Sequence, residues 1–484
     1  MLGALVYVGV FGLLTVGTLR KPAVGLAAAL CMFVIEQWGQ TKVPFVASHG
    51  SLTNYLFGSV VLLGVVSQFL RGQGIRPLNG PVHACVILLY LYSAASLTWT
   101  PASAPAIEEW DHNLPYAVLL LVLAPMLVRN IEDARDGLVA TRAAGGLLAI
   151  CFALFVEYGF RSVTSEIATA DDVRLPGALA ELGGYLFIIC CLLARRTPFS
   201  LAFSIGLMVL GGLLVMHSGT RGQLLSMILC AGTFVVISRS TSARQRNLLL
   251  VVGGTLSALA AYFAFIELSQ LFETNQGARW TLEGAESAYG GRLDMAGALL
   301  DRYWSSGPLA IIFGLGTSAS FAPDIVGFYP HIVPVEILGE LGLVGAALYI
   351  AIVWRTASLT LKIFDTQDPR SDDRRITTVV AALFTFELLL SLKEGSLLRG
   401  INVFLFAILL EGLALRARQA VSDLTAVQPS ATSSTAFRPN TQAPTPVSGQ
   451  RVPPSERANA SASQQSESPN RQPGRPGGLY ATDS

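Results

Sequence analysis

The chain has 484 residues, of which 52% are hydrophobic and 13% are charged, and its formal net charge is +1. Soluble domains carry roughly 25% charged residues, so this composition excludes an ordinary soluble enzyme and indicates that lipid solvates much of the surface. A net charge near zero gives no sign of a nucleic-acid partner. The six cysteines lie inside apolar runs without CxxC or Cys/His spacing, so we expect no metal site.

Apolar runs of about the 20 residues that a helix needs to cross a bilayer recur along the chain. In the first of these runs the positive charges, Arg20 and Lys21, follow the apolar stretch, which predicts a retained span and not a signal peptide. The sequence therefore predicts an all-α polytopic membrane protein with about 12–13 transmembrane helices within residues 1–418. The thirteen candidate spans lie near residues 2–19, 22–38, 53–70, 81–98, 114–128, 138–157, 177–194, 199–217, 222–238, 247–267, 332–354, 376–393 and 398–415.

The lysines and arginines of the predicted loops are distributed unequally between the two sides of the membrane. One alternate set of loops carries 18 basic residues and the other set carries nine. By the positive-inside rule the first set is cytoplasmic, which places residues 268–331 on the outer side as one large, partly helical loop. Residues 419–484 are rich in Ser, Thr, Pro, Gln and Ala, which predicts a disordered cytoplasmic tail.

Arg221 is one of the basic residues on the outer side, in the segment 217–223 (HSGTRGQ) between two apolar runs. A charge at that depth is costly and usually faces a polar cavity. The alternative is an arginine whose apolar stem stays in the membrane while its charged end reaches the outer interface. The flanking glycines favour a tight turn whose N–H groups, together with the guanidinium, suit an anion. His217, one helical turn away, is a candidate supporting residue.

Arg292 is the second outer-side candidate, in the segment 290–294 (GGRLD). The glycine pair predicts a turn just before a helix, and apolar residues follow at helical spacing. An arginine in the first turn of a helix is poorly placed for the helix dipole, which hints at an anionic ligand. The alternative is a surface arginine paired with Asp294.

His331 lies where the long outer loop meets the next predicted span. Imidazole accepts a proton near neutral pH, so His331 is the natural general base for activating a hydroxyl. A histidine that only caps the membrane interface is the alternative.

The segment 329–345 (YPHIVPVEILGELGLVG) resembles the signature of the O-antigen ligase and O-antigen polymerase superfamily, in which a histidine ends a large periplasmic loop and Glu-x-Gly-x-x-Gly follows. Here Glu340 stands nine positions after His331. The segment 218–222 is similar to the Ser-x-x-Arg-Gly segment of that superfamily, and Arg292 with the segment 314–316 (GLG) is similar to its loop arginine and Gly-x-Gly turn. The superfamily often has Asn after the histidine, and Ile332 stands there in this chain, which leaves the class of acceptor open.

The resemblance implies glycan transfer at the periplasmic face of a bacterial inner membrane. The donor would be an oligosaccharide on undecaprenyl diphosphate, and the acceptor would be another glycan or lipid A–core. His331 would deprotonate the acceptor hydroxyl, with inversion at the anomeric carbon, while Arg221 and Arg292 stabilise the leaving diphosphate. Glu340 either bonds inside the helix bundle or, like His217, supports the site. Because the donor is already activated, we expect no cofactor and no metal ion.

Three functions are compatible with these residues. The pattern after His331 favours a polymerase of O-antigen or exopolysaccharide repeat units. A ligase that joins the glycan to lipid A–core is the first alternative. A flippase or transporter of lipid-linked glycans is the second, although such proteins need charges through the whole bilayer, and the unusual charges here lie mainly on the outer side.

Overall fold

The computed structural model describes residues 2–73, 79–155, 176–193, 198–218, 220–238, 282–393 and 395–427. This part of the chain is mostly helical and contains no strand. Single turns lie at Pro22–Val24, Pro44–Ala47, Ala124–Met126 and Ala319–Phe321, and a π-helix lies at Val118–Leu123. The longer helices are α1 (Leu2–Arg20), α2 (Gly25–Lys42), α3 (Leu52–Leu70), α4 (Pro81–Ser96), α5 (Ser103–Ala117), α6 (Ile131–Phe155), α7 (Pro176–Leu193), α8 (Pro198–His217), α9 (Arg221–Ile237), α10 (Leu282–Ser305), α11 (Pro308–Phe313), α12 (Val333–Thr366), α13 (Asp372–Ser391) and α14 (Ile401–Val427).

Several of these helices are built to cross a membrane. In the described part of the chain, six are long and apolar enough, namely α1, α2, α3, α6, α8 and α12. The apolar helices α4, α7 and α9 are shorter. Large apolar side chains point outward from the bundle, such as Leu13 at 68% exposure and Phe199 at 84%. Water would not favour such a surface, whereas lipid solvates it. The all-α, multi-pass assignment is therefore confirmed, whereas the count of 12–13 spans stays a prediction.

Close helix contacts and buried polar side chains hold the bundle together. Gly183 on α7 and Gly211 on α8 face each other so closely that a Cβ on either would lie 2.6 Å from the carbonyl oxygen of the other. Such small residues let helices approach in lipid, where van der Waals contact replaces the hydrophobic effect. Buried Glu411 on α14 accepts hydrogen bonds from the N–H groups of Val82 (2.7 Å) and His83 (3.0 Å), which caps α4.

Three of the loops predicted to be cytoplasmic meet at one end of the bundle. Lys21 forms an ion pair with Asp136 (2.8 Å), and Arg71 donates to the carbonyl of Arg20 (2.9 Å). These contacts agree with the alternation of helix direction on which the charge count relied. The membrane side that this end faces stays a prediction.

Helix α12 is interrupted at Gly342, whose backbone has φ 63° and ψ −161°. The carbonyls of Gly339 and Glu340 just before the break accept hydrogen bonds from the N–H groups of Leu315 (3.0 Å) and Gly316 (2.8 Å). The break thus serves as a seat for the segment 314–320, called here the docked loop. A Cβ on Gly342 would lie 2.6 Å from the carbonyl oxygen of Ile312, so this approach requires glycine.

Several sequence-based boundaries are wrong. No turn separates Gly290 and Gly291 from a following helix, because α10 begins at Leu282 and runs through both glycines. Helix α14 continues to Val427, past the predicted start of the tail at residue 419. Instead of a span at 114–128, helix α5 begins at Ser103 and leads into the π-helix. The predicted span 247–267 and residues 428–484 lie outside the described residues.

Candidate active site

The site lies at the end of the bundle where α7, α9, α12 and α14 begin and α13 ends. Asn402 on α14 donates to Glu181 on α7, and the Gln223 amide on α9 donates to the carbonyl of Gly177 (3.4 Å). The N–H of Leu397, between α13 and α14, donates to Glu336 on α12 (3.1 Å). The segment 395–402 therefore connects the helix ends that carry the polar side chains.

His331 ends the loop before α12 in a left-handed backbone conformation, with φ 60°. That conformation is uncommon outside glycine and costs of order 1–3 kcal/mol, so the surroundings must impose it. Its ring lies 4.2 Å from the Tyr329 ring and 5.4 Å from the Phe328 ring, measured between centroids. The imidazole is half-buried. An oriented, solvent-accessible imidazole fits the predicted role of a base.

The Arg399 guanidinium is connected to His331 through contacts with Tyr329. The sequence analysis did not single out this arginine. Its side chain forms an ion pair with Glu109 on α5, with Nε 3.3 Å from Oε2. It also lies 5.2 Å from the centroid of the Tyr329 ring, the same ring that contacts His331. Partial burial lowers the pKa of Arg399, but the bonds and charge of Glu109 outweigh this and leave the pKa above its usual value.

Glu336 is a buried carboxylate on the first turn of α12, 5% exposed. One oxygen accepts the Leu397 N–H, and the Leu397 carbonyl accepts the Tyr90 hydroxyl (3.1 Å). The other oxygen, Oε2, has no hydrogen-bond partner among the described residues. A buried polar atom in that state is costly and rare.

Glu340 holds the docked loop to α12. One carboxylate oxygen accepts the N–H of Ser318 (2.6 Å), and the other accepts the N–H (3.1 Å) and hydroxyl (2.7 Å) of Ser320. Thr317 bonds in turn to Ser93 and Ser96 on α4. Of the two roles left open for Glu340, these contacts support bonding inside the bundle.

A second acidic pair lies on the α7–α13 side of the same end. The Tyr185 hydroxyl lies 2.6 Å from Glu181 and 2.7 Å from Glu387. A hydroxyl has one proton to donate, so a proton on one of the two carboxyl groups would let both contacts be full hydrogen bonds.

The segment with Arg221 reaches the same bundle end. His217 is the last residue of α8 and Arg221 the first of α9, and their side chains lie outside the described part. Gln223 connects this turn to α7. The Lys393 side chain covers Gly222, so that a Cβ there would lie 2.5 Å from Nζ. A lysine that the sequence analysis did not single out thus lies one residue from Arg221.

Arg292 lies inside α10 and is half-buried. The dipole argument for an anionic ligand is therefore wrong, because it required a position in the first turn. The alternative, a surface pair with Asp294, is not seen either, and no described residue forms an ion pair or hydrogen bond with Arg292. Its proximity to His331 stays a prediction.

Among the described residues, no group of three His, Cys, Asp or Glu side chains could hold a metal ion. Neither a protein-family model nor a curated protein sequence matches the chain. The relation to the O-antigen ligase and polymerase superfamily accordingly stays a resemblance carried by the segments around Arg221, Arg292 and His331.

Proposed function

We propose that this chain is an inner-membrane glycan transferase of the O-antigen polymerase or ligase type. It takes an oligosaccharide from undecaprenyl diphosphate and joins it to a sugar hydroxyl, and polymerisation of repeat units is the favoured form. The site faces the periplasm, and the chain beyond α14 lies in the cytoplasm. The reaction needs no metal ion and no cofactor, because the diphosphate already activates the anomeric carbon.

The observation that carries the proposal is the His331 imidazole, held in a strained backbone beside Tyr329, whose ring also contacts Arg399. In the proposed step, Nδ1 or Nε2 of His331 takes the acceptor proton as the acceptor oxygen forms a bond to the anomeric carbon. The bond from that carbon to the phosphate oxygen breaks, and undecaprenyl diphosphate leaves with the bonding electron pair. The proton then passes from the imidazolium to solvent, which balances the step.

Positive charge for the leaving diphosphate comes from Arg221, with Lys393 against the same turn and Arg292 on α10. Cations placed in advance stabilise charge where it develops, without the cost of reorientation at the moment of reaction. The break in α12 supports the site indirectly. It seats the docked loop, which leads along the chain to the segment ending at His331.

The test is transfer of a lipid-linked oligosaccharide by the protein in nanodiscs, with the His331→Ala variant compared with wild type. We expect the variant to lose about 10²–10⁴ in rate, as removal of a general base does, while the melting temperature and donor affinity persist. Arg302→Ala is the control, since the Arg302 side chain forms an exposed pair with Asp324 (3.7 Å) that contributes little. Transfer by His331→Ala at the wild-type rate would exclude the proposed base.

A deletion strain separates the two forms of the reaction. Loss of a polymerase leaves single repeat units on lipid A–core. Loss of a ligase leaves lipid-linked chains and bare core.

One observation favours the transporter as a second candidate. Glu181 and Glu387 approach one another around the Tyr185 hydroxyl inside a helix bundle, and ionisable residues in such positions often mark proton paths in transporters. A transporter would move lipid-linked glycan across proteoliposomes in response to a proton gradient and would make no glycosidic bond. Glu387→Gln should then abolish the response to the gradient, whereas the transferase should work in detergent without any gradient.

A further inference from the structure

The ion pair between Arg399 and Glu109 is open to a ligand, although it joins two distant parts of the chain. The Arg399 side chain is 45% exposed and the Glu109 side chain 18%. Glu109 is contacted by Nε and Nη2 of the guanidinium, and no described residue accepts a hydrogen bond from Nη1. The guanidinium therefore keeps an unused donor at the bundle end, whereas Oε2 of Glu109 also accepts a hydrogen bond from Asn113 (3.2 Å).

The charges around Arg399 do not suit a diphosphate. The guanidinium forms an ion pair with the Glu109 carboxylate, so this side of the site has no excess of positive charge. On the other side, Lys393 lies against Gly222, the residue that follows Arg221 along the chain. An anionic donor is therefore favoured there, and a neutral ligand rich in hydroxyl groups is favoured beside Arg399.

A second observation points to a ligand at the same place. Glu336 accepts the N–H of Leu397, two residues before Arg399, and its buried Oε2 has no partner in the part of the chain that the structure describes. A carboxylate oxygen in that position is completed by a hydroxyl group from a ligand, or by a water that the ligand holds.

The pair is also connected to the proposed base. Tyr329 contacts Arg399 at 5.2 Å on one side and His331 at 4.2 Å on the other. Ile332, the residue after His331, has no hydrogen-bonding side chain. A polar group that orients a sugar near the imidazole must therefore come from another residue, and Arg399 and Glu109 bring such groups.

We infer that Arg399, Glu109 and Tyr329, backed by the Glu336 carboxylate, form the subsite that binds the acceptor sugar beside His331. The inference rests on the proposed function and specifies which side of the site each substrate occupies. Guanidinium and carboxylate groups bond to neighbouring sugar hydroxyls in fixed geometry, which directs one hydroxyl towards the imidazole. Arg399 and Glu109 are positioning residues in this account, and His331 remains the base.

Calorimetry on the full chain in nanodiscs tests the subsite without relying on turnover. The probe is the repeat-unit oligosaccharide of the producing strain, released from its diphosphate lipid by mild acid. We expect Arg399→Gln to weaken binding of this oligosaccharide at least about tenfold, the loss typical of a hydrogen bond to a charged group. In transfer assays, the KM for the acceptor should rise by the same factor while the KM for the lipid-linked donor stays within about twofold.

The exchanged pair, Glu109→Arg with Arg399→Glu, separates sugar binding from a purely structural role. The exchange keeps an ion pair and should restore the melting temperature. It puts a carboxylate where the sugar needs the guanidinium and a guanidinium where the sugar needs the carboxylate. Restored oligosaccharide affinity in the exchanged pair would overturn the subsite, and so would unchanged affinity in Arg399→Gln or no binding by wild type. Arg302→Gln is the control with an exposed pair.

The two proposals fail in different ways. Oligosaccharide binding that depends on Arg399, without any transfer by wild type, would contradict the transferase and leave the subsite in place. Transfer by Arg399→Gln with an unchanged acceptor KM would remove the subsite and leave the transferase in place.

Discussion

Glu340 accepts hydrogen bonds from three donors of Ser318 and Ser320, and Ser318 itself has a left-handed backbone with φ 56°. A glutamine at position 340 keeps the shape but turns an NH₂ group towards at least one of these donors. We predict that Glu340→Gln costs about 1–3 kcal/mol, as an unsatisfied buried donor does. Thermal unfolding in detergent measures the loss. Glu108→Gln, on the exposed face of α5, should change nothing, and equal stability of both variants would contradict the proposed role.

Arg221 and Lys393 allow a second prediction about single residues, because Lys393 covers the turn that begins α9. We expect Arg221→Ala to raise the KM for the lipid-linked donor more than the KM for the acceptor, since it removes a cation from the donor side. Lys393→Ala should act in the same direction. Initial rates at varied donor concentration measure the effect. An effect confined to the acceptor would place the diphosphate elsewhere.

Among single residues, the sequence identified some members of the candidate site and missed others. His331 and Glu340 could be identified because their spacing forms a recognisable segment. Arg399 and Glu109 could not, because 290 positions separate them along the chain and only the packing of helices makes them neighbours. One signal was available: Arg399 is a basic residue in a loop predicted to be on the outer side, as Arg221 and Arg292 are.

Among the elements, α12 and the docked loop depend on each other through main-chain atoms. Gly314, with φ 82°, and Gly342, with φ 63°, let two backbones touch, and a Cβ on Gly314 would lie 2.5 Å from the Leu341 nitrogen. The Gly-x-Gly and Glu-x-Gly segments were recognised in the sequence, but their contact could not be predicted. Helix periodicity describes a continuous α12. The break leaves main-chain carbonyls without partners inside the helix, and the docked loop supplies their hydrogen bonds.

We predict that Gly342→Ala releases the docked loop. The left-handed backbone costs an alanine of order 1–3 kcal/mol, and its methyl group would overlap the main chain of the segment 312–314. A cysteine pair at Ser93 and Thr317, whose hydroxyls are 2.6 Å apart, reports loop seating by disulfide yield in a background without the native cysteines. The yield should fall with Gly342→Ala. Gly290→Ala, in α10 with no described atom within 4 Å of the added Cβ, should leave it unchanged.

In the whole molecule, the apolar composition was enough to predict a multi-pass helix bundle, because lipid removes the need for a polar surface. Composition did not predict the length of α12 or the continuation of α10 through its glycine pair. A glycine costs a helix about 1 kcal/mol relative to alanine, and tertiary contacts routinely outweigh this cost. In α10, packing of Leu299 and Tyr303 against Leu315 and Ala319 supplies such contact further along the same helix.

The orientation of the molecule is tested by labelling single cysteines in intact spheroplasts with an impermeant thiol reagent. Asp324→Cys, in the loop before His331 and with a side chain 66% exposed, should react. Lys21→Cys, 63% exposed at the basic end, should react only after lysis. The opposite pattern would place the site in the cytoplasm and would exclude a periplasmic donor.

The mutual dependence of α12 and the docked loop has a consequence for biosynthesis. The ribosome delivers residues 314–320 before residues 339–342, so the loop leaves the translocation channel when its seat has not yet been made. Helix α4, with Ser93 and Ser96, is already inserted by then and offers Thr317 its first hydrogen-bond partners. We expect that a nascent chain halted before α12 exposes this loop to protease, and that insertion of one more helix closes it.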